Sequence, residues 1–203
     1  MTANIQEQEL KDRLSLIESM IAEGRRTTES WGWTFVLWGV AYYVAIAWAT
    51  WGHSRLAWPV TMVGACVLMG ALISRQPRSH PETTLGRAIS SVWIAMGISM
   101  FTLLLSLGMS GRYELHVFVA IVGAMLGTAN ATSALILKWK MQFACAVVWW
   151  AAAVVSCFGS ENQTAIAFLV AIFFCQIVFG IYGMVREAGK RKAMESRQGA
   201  SHA

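Results

Sequence analysis

Charged side chains are scarce in this chain, and their scarcity argues against an ordinary soluble domain. Asp, Glu, Lys and Arg together make up 13% of the 203 residues, and apolar residues make up 56%. A soluble domain has about 25% charged and 45 to 50% apolar residues. The mean hydropathy of +0.51 agrees with this difference. We infer a membrane protein whose spans, each of about 20 residues, leave no room for a separate catalytic domain.

Asp, Glu, Lys, Arg and His are missing altogether from six long apolar runs. Each run is long enough to cross the hydrocarbon core, roughly 30 Å thick, as a helix. Ionisable groups inside a membrane usually mark proton relays, ion paths and voltage sensors, and a hydrolase needs an acid, a base or a metal ligand. We therefore predict no ion-coupled pump, no enzyme, no catalytic residue and no cofactor. The runs are residues 31–51, 56–74, 88–109, 117–137, 141–158 and 165–185.

Motifs for metal or phosphate binding are also missing. The four cysteines lie in predicted spans without a Cys-x-x-Cys spacing, and a buried free cysteine mostly behaves as a small apolar residue. There is no glycine-rich phosphate loop and no nucleophile elbow. Four residues that can bind metals fall at the predicted outer edge, but their spacing is not diagnostic. We predict no metal, and the sequence leaves open whether these four residues form a site: His53, His116, Glu114 and Glu161.

The basic residues that are present predict the topology. Short cytoplasmic loops retain Lys and Arg, and a six-span path with both termini inside leaves only Arg55 and Arg112 outside. We therefore predict an all-α, six-helix transmembrane bundle. The net charge of +5 reflects this pattern, and no basic soluble module is present to bind nucleic acid. Fourteen of the 16 basic residues lie inside: Lys11, Arg13, Arg25, Arg26, Arg75, Arg78, Arg87, Lys138, Lys140, Arg186, Lys190, Arg191, Lys192 and Arg197.

An amphipathic helix of about residues 5–23 precedes the first span. Its apolar residues recur at spacings of four, three and four, which places them on one stripe, and Gly24 predicts its end. The charge of residues 1–24 sums to minus three, whereas helices that lie on anionic lipid are usually basic. Contact with protein fits better, through this protein's own basic loops or through a partner or second copy. The stripe is Leu10, Leu14, Ile17 and Ile21.

The chain thus divides into three predicted parts. Residues 1–30 form a cytoplasmic segment that contains the amphipathic helix, and residues 31–185 form the membrane domain. Residues 186–203 form a basic cytoplasmic tail that is partly disordered.

Small and polar residues share one face on two of the predicted spans. Gly123 and Gly127 form a GxxxG pair in line with Asn130, and such pairs let helix backbones approach closely. Gln176 lies in a similar line with Gly180 and Gly183. Asn130 and Gln176 differ in depth by only about 3 Å, so we predict a buried hydrogen bond between spans four and six. This contact is either a packing bond or part of a substrate site, and packing is the more common role.

The opening of the chain carries a resemblance. The run Leu16-Ile17-Glu18-Ser19-Met20-Ile21 is followed by Arg25-Arg26 and then by the aromatic-rich sequences Trp31-Gly32-Trp33 and Leu37-Trp38-Gly39. About forty residues thus resemble the start of uncharacterised bacterial multi-pass inner-membrane proteins, which have a charged leader helix before the first span. The resemblance implies the bacterial cytoplasmic membrane and no particular activity.

Two functions of different kinds are compatible with these patterns. The favoured one is a non-enzymatic accessory, scaffold or sensor-type membrane subunit whose acidic leader helix contacts protein. The alternative is a carrier or channel for a small neutral or lipophilic solute, which would use the polar line on spans four and six. An exposed apolar stripe on the leader helix and a solid core would favour the first. A continuous polar cavity at the depth of Asn130 would favour the second.

Overall fold

The computed structural model of this protein describes residues 2–54, 56–75, 84–110 and 114–201. These residues are almost entirely helical, and none of them lies in a β-strand. The all-α prediction is therefore confirmed. The elements are α1 (Thr2–Ser30), α2 (Gly32–Gly52), α3 (Ala57–Arg75), α4 (Thr84–Ser110), α5 (Leu115–Leu137), α6 (Lys140–Phe158), α7 (Glu161–Ile172), a π-helical segment (Phe173–Val178) and α8 (Phe179–Ser201).

Within the described residues, six helices are long and apolar enough to cross a membrane. Five of them are α2 to α6, and the sixth is the continuous helix Glu161–Lys190, which joins α7, the π-helical segment and the start of α8. The protein is thus an integral membrane protein built as a six-helix bundle. The alanine-rich run 141–158, the shortest of the predicted spans, is helix α6.

Helices α5 and α6 form a closely packed hairpin. Lys138 ends α5 in the left-handed conformation, with φ of 50°, and the Trp139 amide N–H donates to the Ala134 carbonyl oxygen at 2.9 Å. A methyl group on Gly123 would lie 2.9 Å from the carbonyl oxygen of Trp149, and one on Gly127 would overlap the Trp150 ring. The GxxxG pair therefore packs against α6, the next helix in the chain.

A second close contact joins α2 to α8. A methyl group on Gly180 would lie 2.7 Å from the Gly32 carbonyl oxygen, and one on Gly32 would lie 2.6 Å from the Gly180 carbonyl oxygen. Gly183 is also buried. At these positions the two backbones touch directly, and any side chain would push them apart.

The leader helix α1 is longer than the sequence predicts. Gly24 does not end it, because the helix continues to Ser30. Gly24 is buried, and a methyl group there would lie 2.8 Å from a Leu137 methyl group and 2.9 Å from one of Leu85. The glycine thus makes room for the ends of α4 and α5. In the sequence, a glycine with this packing role looks the same as a glycine that ends a helix.

The C-terminal region also differs from the prediction. Residues 186–201 continue α8 as a helix, whereas the sequence predicts a partly disordered tail. Their composition explains the difference, since Arg, Lys, Glu, Ala and Met are strong helix formers. Residues 202 and 203 lie outside the described part of the chain.

Helices α3 and α4 lie at the edge of the bundle. Helix α3 packs on α2, and α4 packs on α5 and α1. Between the described residues of α3 and α4 there is no extended packing. The bundle is therefore compact around α2, α5, α6 and α8 and open along one side.

The Gly180→Ala substitution is expected to destabilise the bundle, because the new methyl group would press on the Gly32 backbone. We expect a loss of about 1–3 kcal/mol in the free energy of unfolding, measured by denaturant titration of the purified protein in detergent. The matched control is Gly64→Ala on α3, where nothing lies within 4 Å of the new methyl group. An equal loss in both variants would contradict the close approach of α2 and α8.

Candidate functional site

The apolar stripe of the leader helix, here called the leader face, consists of Leu10, Leu14, Ile17 and Ile21. The first three are 59%, 52% and 53% exposed, and Ile21 is half-buried. All of residues 6–19 are exposed, so this part of α1 projects from the bundle. The leader face is thus an uncovered apolar surface on a helix that is otherwise polar.

Salt bridges within α1 support its helical conformation. The Lys11 ammonium lies 2.7 Å from the Glu7 carboxylate, and the Arg13 guanidinium lies 2.6 Å from the Glu9 carboxylate. Both pairs are exposed and four residues apart, so each contributes about 0.3–0.5 kcal/mol. These small contributions do not hold the projecting helix by themselves.

The predicted hydrogen bond between Asn130 and Gln176 is wrong. Both side chains are buried, at 1% and 4% exposure. The Asn130 Nδ2 atom donates to the carbonyl oxygen of Leu126 in its own helix at 2.9 Å, and Oδ1 has no partner among the described residues. Gln176 lies against α2, where a methyl group on Gly39 would meet its Cβ atom at 2.9 Å.

The reason for this error is that the two small-residue faces pack on different helices. The GxxxG face of α5 packs on α6, whereas Gln176 and Gly180 both lie against α2. Gln176 also lies in a π-helical turn, in which the Phe179 amide N–H donates to the carbonyl oxygen of Phe174, five residues earlier. π-Helical turns inside α-helices are rare overall, and those that occur are often found at functional sites.

A cavity of about 360 Å³ lies between α2, α3, α4 and α5. We call it the aromatic cavity and define it by six of its lining residues, which are Trp38, Tyr42, Trp58, Trp93, Phe118 and Gln176. Helices α3 and α4 form two of its walls without packing on each other. The cavity is therefore continuous with the open side of the bundle.

Aromatic contacts hold the walls of the aromatic cavity in place. The Tyr42 ring packs between Trp38 and Trp58, with centroid distances of 6.3 and 6.2 Å. Trp58 also packs edge-on against Phe118 at 5.5 Å. These contacts join α2, α3 and α5 around the cavity, so its shape is built by rigid rings.

Two buried polar side chains at the aromatic cavity have no hydrogen-bond partner among the described residues. Tyr42 is 7% exposed and Gln176 is 4% exposed, and neither makes a side-chain hydrogen bond to another described residue. By contrast, Trp93 Nε1 donates to the Ser133 hydroxyl oxygen at 3.2 Å. An apolar pocket with a few unpaired polar groups is the usual form of a small-molecule site.

The sequence interpretation missed this cavity. It placed the functional polar line on spans four and six instead. The signal that was available is the group of methionines and aromatic residues shared by α3 and α4, including Trp58, Met62, Trp93 and Met100. No periodicity in one helix reveals that two helices face a common space.

His116 of α5 contacts α6 and α7 at the end of the bundle away from the leader helix. Its Nδ1 atom lies 3.0 Å from the Ser156 carbonyl oxygen in α6 and 3.0 Å from the Thr164 hydroxyl oxygen in α7. His53 instead ends α2 in the left-handed conformation. No group of three or more His, Cys, Asp or Glu residues in the described chain is placed to hold a metal ion. The contacts of His116 are those of a structural residue.

The Thr164→Val substitution tests the contact between Thr164 and His116. Thr164 is fully buried, so loss of its hydroxyl group removes a contact to His116 without exposing new surface. We expect the free energy of unfolding to fall by about 0.5–1.5 kcal/mol. Thr128→Val is the control, because the exposed Thr128 hydroxyl donates only to the Ala124 carbonyl oxygen of its own helix. Comparable losses of unfolding free energy in both variants would argue against a stabilising contact between α5 and α7.

Packing within one copy of the chain does not account for two features of the described residues. They are the leader face and the aromatic cavity. No protein-family profile, curated protein or solved structure matches this chain.

Proposed function

We propose that the protein is a non-enzymatic accessory or scaffold subunit of the membrane that assembles with protein through its leader helix. The observation that carries this proposal is the leader face, which is apolar, helical and exposed. The exposed part of α1, residues 6–19, is no longer than the isolated helices that are marginal in water even when their sequence favours helix. A partner that covers the leader face would both hold the helix and remove its leucines from water.

The occupant that we propose for the leader face is α1 of a second copy. In heptad terms, Leu10 and Ile17 occupy d positions, and Leu14 and Ile21 occupy a positions. Arg13 then falls at g and Glu18 at the e position five residues later. In a parallel pair, g of one helix faces the following e of the other. Arg13 of each copy would thus meet Glu18 of its partner, twice by symmetry.

The membrane favours the same orientation. Two copies inserted with the same topology present their leader helices at the same surface and in the same direction. Shared insertion in the membrane therefore favours the parallel arrangement over an antiparallel one. The acidic balance of residues 1–24 argues against adsorption of this helix to anionic lipid.

The alternative of a solute carrier that uses a polar line on spans four and six has less support. Asn130 bonds within its own helix and does not line the aromatic cavity, and Gln176 lies at a different surface. The lining of the cavity is apolar, so it offers no continuous polar path.

We further propose that the protein resides in the bacterial cytoplasmic membrane with both termini in the cytoplasm. Contact of Gly24 with Leu85 and Leu137 supports this proposal, because it places the leader helix at the same end of the bundle as Arg87 and Lys138. Basic residues at one end are retained in the cytoplasm.

The Leu14→Gln substitution is expected to weaken association of two copies. Each copy would lose one buried leucine, worth about 1.5–3 kcal/mol, so the dissociation constant should rise at least about tenfold. The measurement is energy transfer between donor-labelled and acceptor-labelled full-length protein in liposomes. The control is Leu16→Gln, since Leu16 is 61% exposed and lies outside the leader face. If both substitutions had the same effect, or none, the leader face would not join the copies.

A charge reversal tests the register. The Arg13→Glu substitution sets like charges against Glu18 of the partner, and we expect about two- to tenfold weaker association in the same assay at low salt. The double substitution Arg13→Glu with Glu18→Arg should restore association, because it exchanges the charges across the pair. Failure of the double variant to recover would rule out the parallel register, while recovery at high salt of the single variant would agree with it.

A further inference from the structure

The aromatic cavity has no function in the assembly of copies through α1. It is built mainly by α2 to α5, within the membrane-spanning part of the chain. Its volume of about 360 Å³ lies within the range of small-molecule sites, roughly 300–1,000 Å³. Close packing is the rule in protein interiors, so a space of this size beside closely packed helices needs an explanation.

We propose that the aromatic cavity binds an uncharged lipophilic molecule with one hydrogen-bonding oxygen, which enters from the bilayer between α3 and α4. This proposal is independent of the leader helix. It assigns a ligand site to residues that the assembly does not use.

The lining residues determine the charge of the ligand. None of the lining residues that the structure describes is Asp, Glu, Lys, Arg or His. An ion in such surroundings would lose its hydration without gaining a counter-charge, which costs far more than hydrocarbon contact returns. The aromatic cavity therefore disfavours anions and strongly hydrated cations, and a quaternary ammonium, which aromatic rings can bind, is tested as a competitor.

The two unpaired polar side chains determine the functional group. The Tyr42 hydroxyl and the Gln176 amide can both donate a hydrogen bond, and each is more than nine-tenths buried. An oxygen acceptor, such as a carbonyl or hydroxyl oxygen, would satisfy them. Tyr42 is fixed by the rings of Trp38 and Trp58, and Gln176 is fixed by the π-helical segment against Gly39. The donors are thus held in position before the ligand arrives, which lowers the cost of binding.

The methionines of the lining accommodate the apolar part of the ligand. Met62 and Met69 belong to α3, and Met96 and Met100 belong to α4. Methionine side chains are flexible and polarizable, and they adapt to ligands of different shape. They lie on the two helices between which no extended packing occurs, so an alkyl chain can pass from the bilayer into the cavity along them.

Photoaffinity labelling tests the proposal. The probe is dodecan-1-ol with a diazirine in its chain, applied to the full-length protein in lipid nanodiscs, and the labelled residues are identified by mass spectrometry. We expect labelling of cavity residues on α3 and α4, and we expect excess dodecan-1-ol to compete while dodecane and dodecyltrimethylammonium do not. Competition by the alcohol alone distinguishes the hydroxyl oxygen from the hydrocarbon chain and from a charged headgroup.

Two substitutions with matched controls localise the site. Gln176→Leu should weaken labelling of the aromatic cavity about tenfold, whereas Gln142→Leu should not, because Gln142 is equally buried in α6 and does not line the cavity. Gly97→Leu should block labelling by filling the cavity, since open space surrounds its Cβ position. Gly64→Leu is its control, with similar open space outside the cavity lining. Gly97→Leu and Gln176→Leu change different residues of the cavity. If one of these variants does not fold, the other still tests the site.

Three outcomes would overturn the proposal. Uniform labelling of all lipid-facing helices, without competition, would mean simple partition into the bilayer. Equal competition by dodecane, with no effect of Gln176→Leu, would mean that the cavity takes hydrocarbon without recognising an oxygen. Cross-links between α3 and α4 of two copies would mean that a second copy closes the open side.

Discussion

Close approach of backbones at glycine is the constraint on which this bundle depends. The predicted spans contain no Asp, Glu, Lys, Arg or His, so no ion pair within the membrane can hold one helix to another. Lipid tails are as apolar as leucine, and helices in a bilayer associate through packing and hydrogen bonds. Gly32 and Gly180 bring α2 against α8, and Gly123 and Gly127 bring α5 against α6. These contacts form the compact half of the molecule.

Where such contacts are missing, the bundle is open. Gly64 and Gly70 of α3 and Gly97 of α4 have nothing near their Cβ positions, so these three do not serve as close-packing sites within one copy. The same two helices line the aromatic cavity without packing on each other. One half of the molecule is therefore a rigid support, and the other half presents a sheltered apolar space to the bilayer.

Composition and charge predict the architecture well, and they predict contacts poorly. The six spans follow from length and hydropathy, because every backbone polar group in lipid must be satisfied within its own helix. Length and hydropathy do not predict which helices are neighbours, since a small-residue face can pack on any helix. The GxxxG pair of α5 packs on α6, whereas Gln176 and Gly180 pack on α2. Gly24 illustrates the same limit, since a glycine that ends a helix and one that admits a neighbour look alike in sequence.

We propose that the chain crosses the bilayer six times, with the leader helix, residues 76–83 and the end of α8 on one side. Reporter fusions to the full chain test it most directly, with green fluorescent protein active in the cytoplasm and alkaline phosphatase active outside. We predict fluorescence for fusions after residues 78, 138 and 201, and phosphatase activity for fusions after residues 54, 112 and 160. Opposite locations for residue 78 and the C-terminal end of α8 would contradict the six-span bundle and the proposals that depend on it.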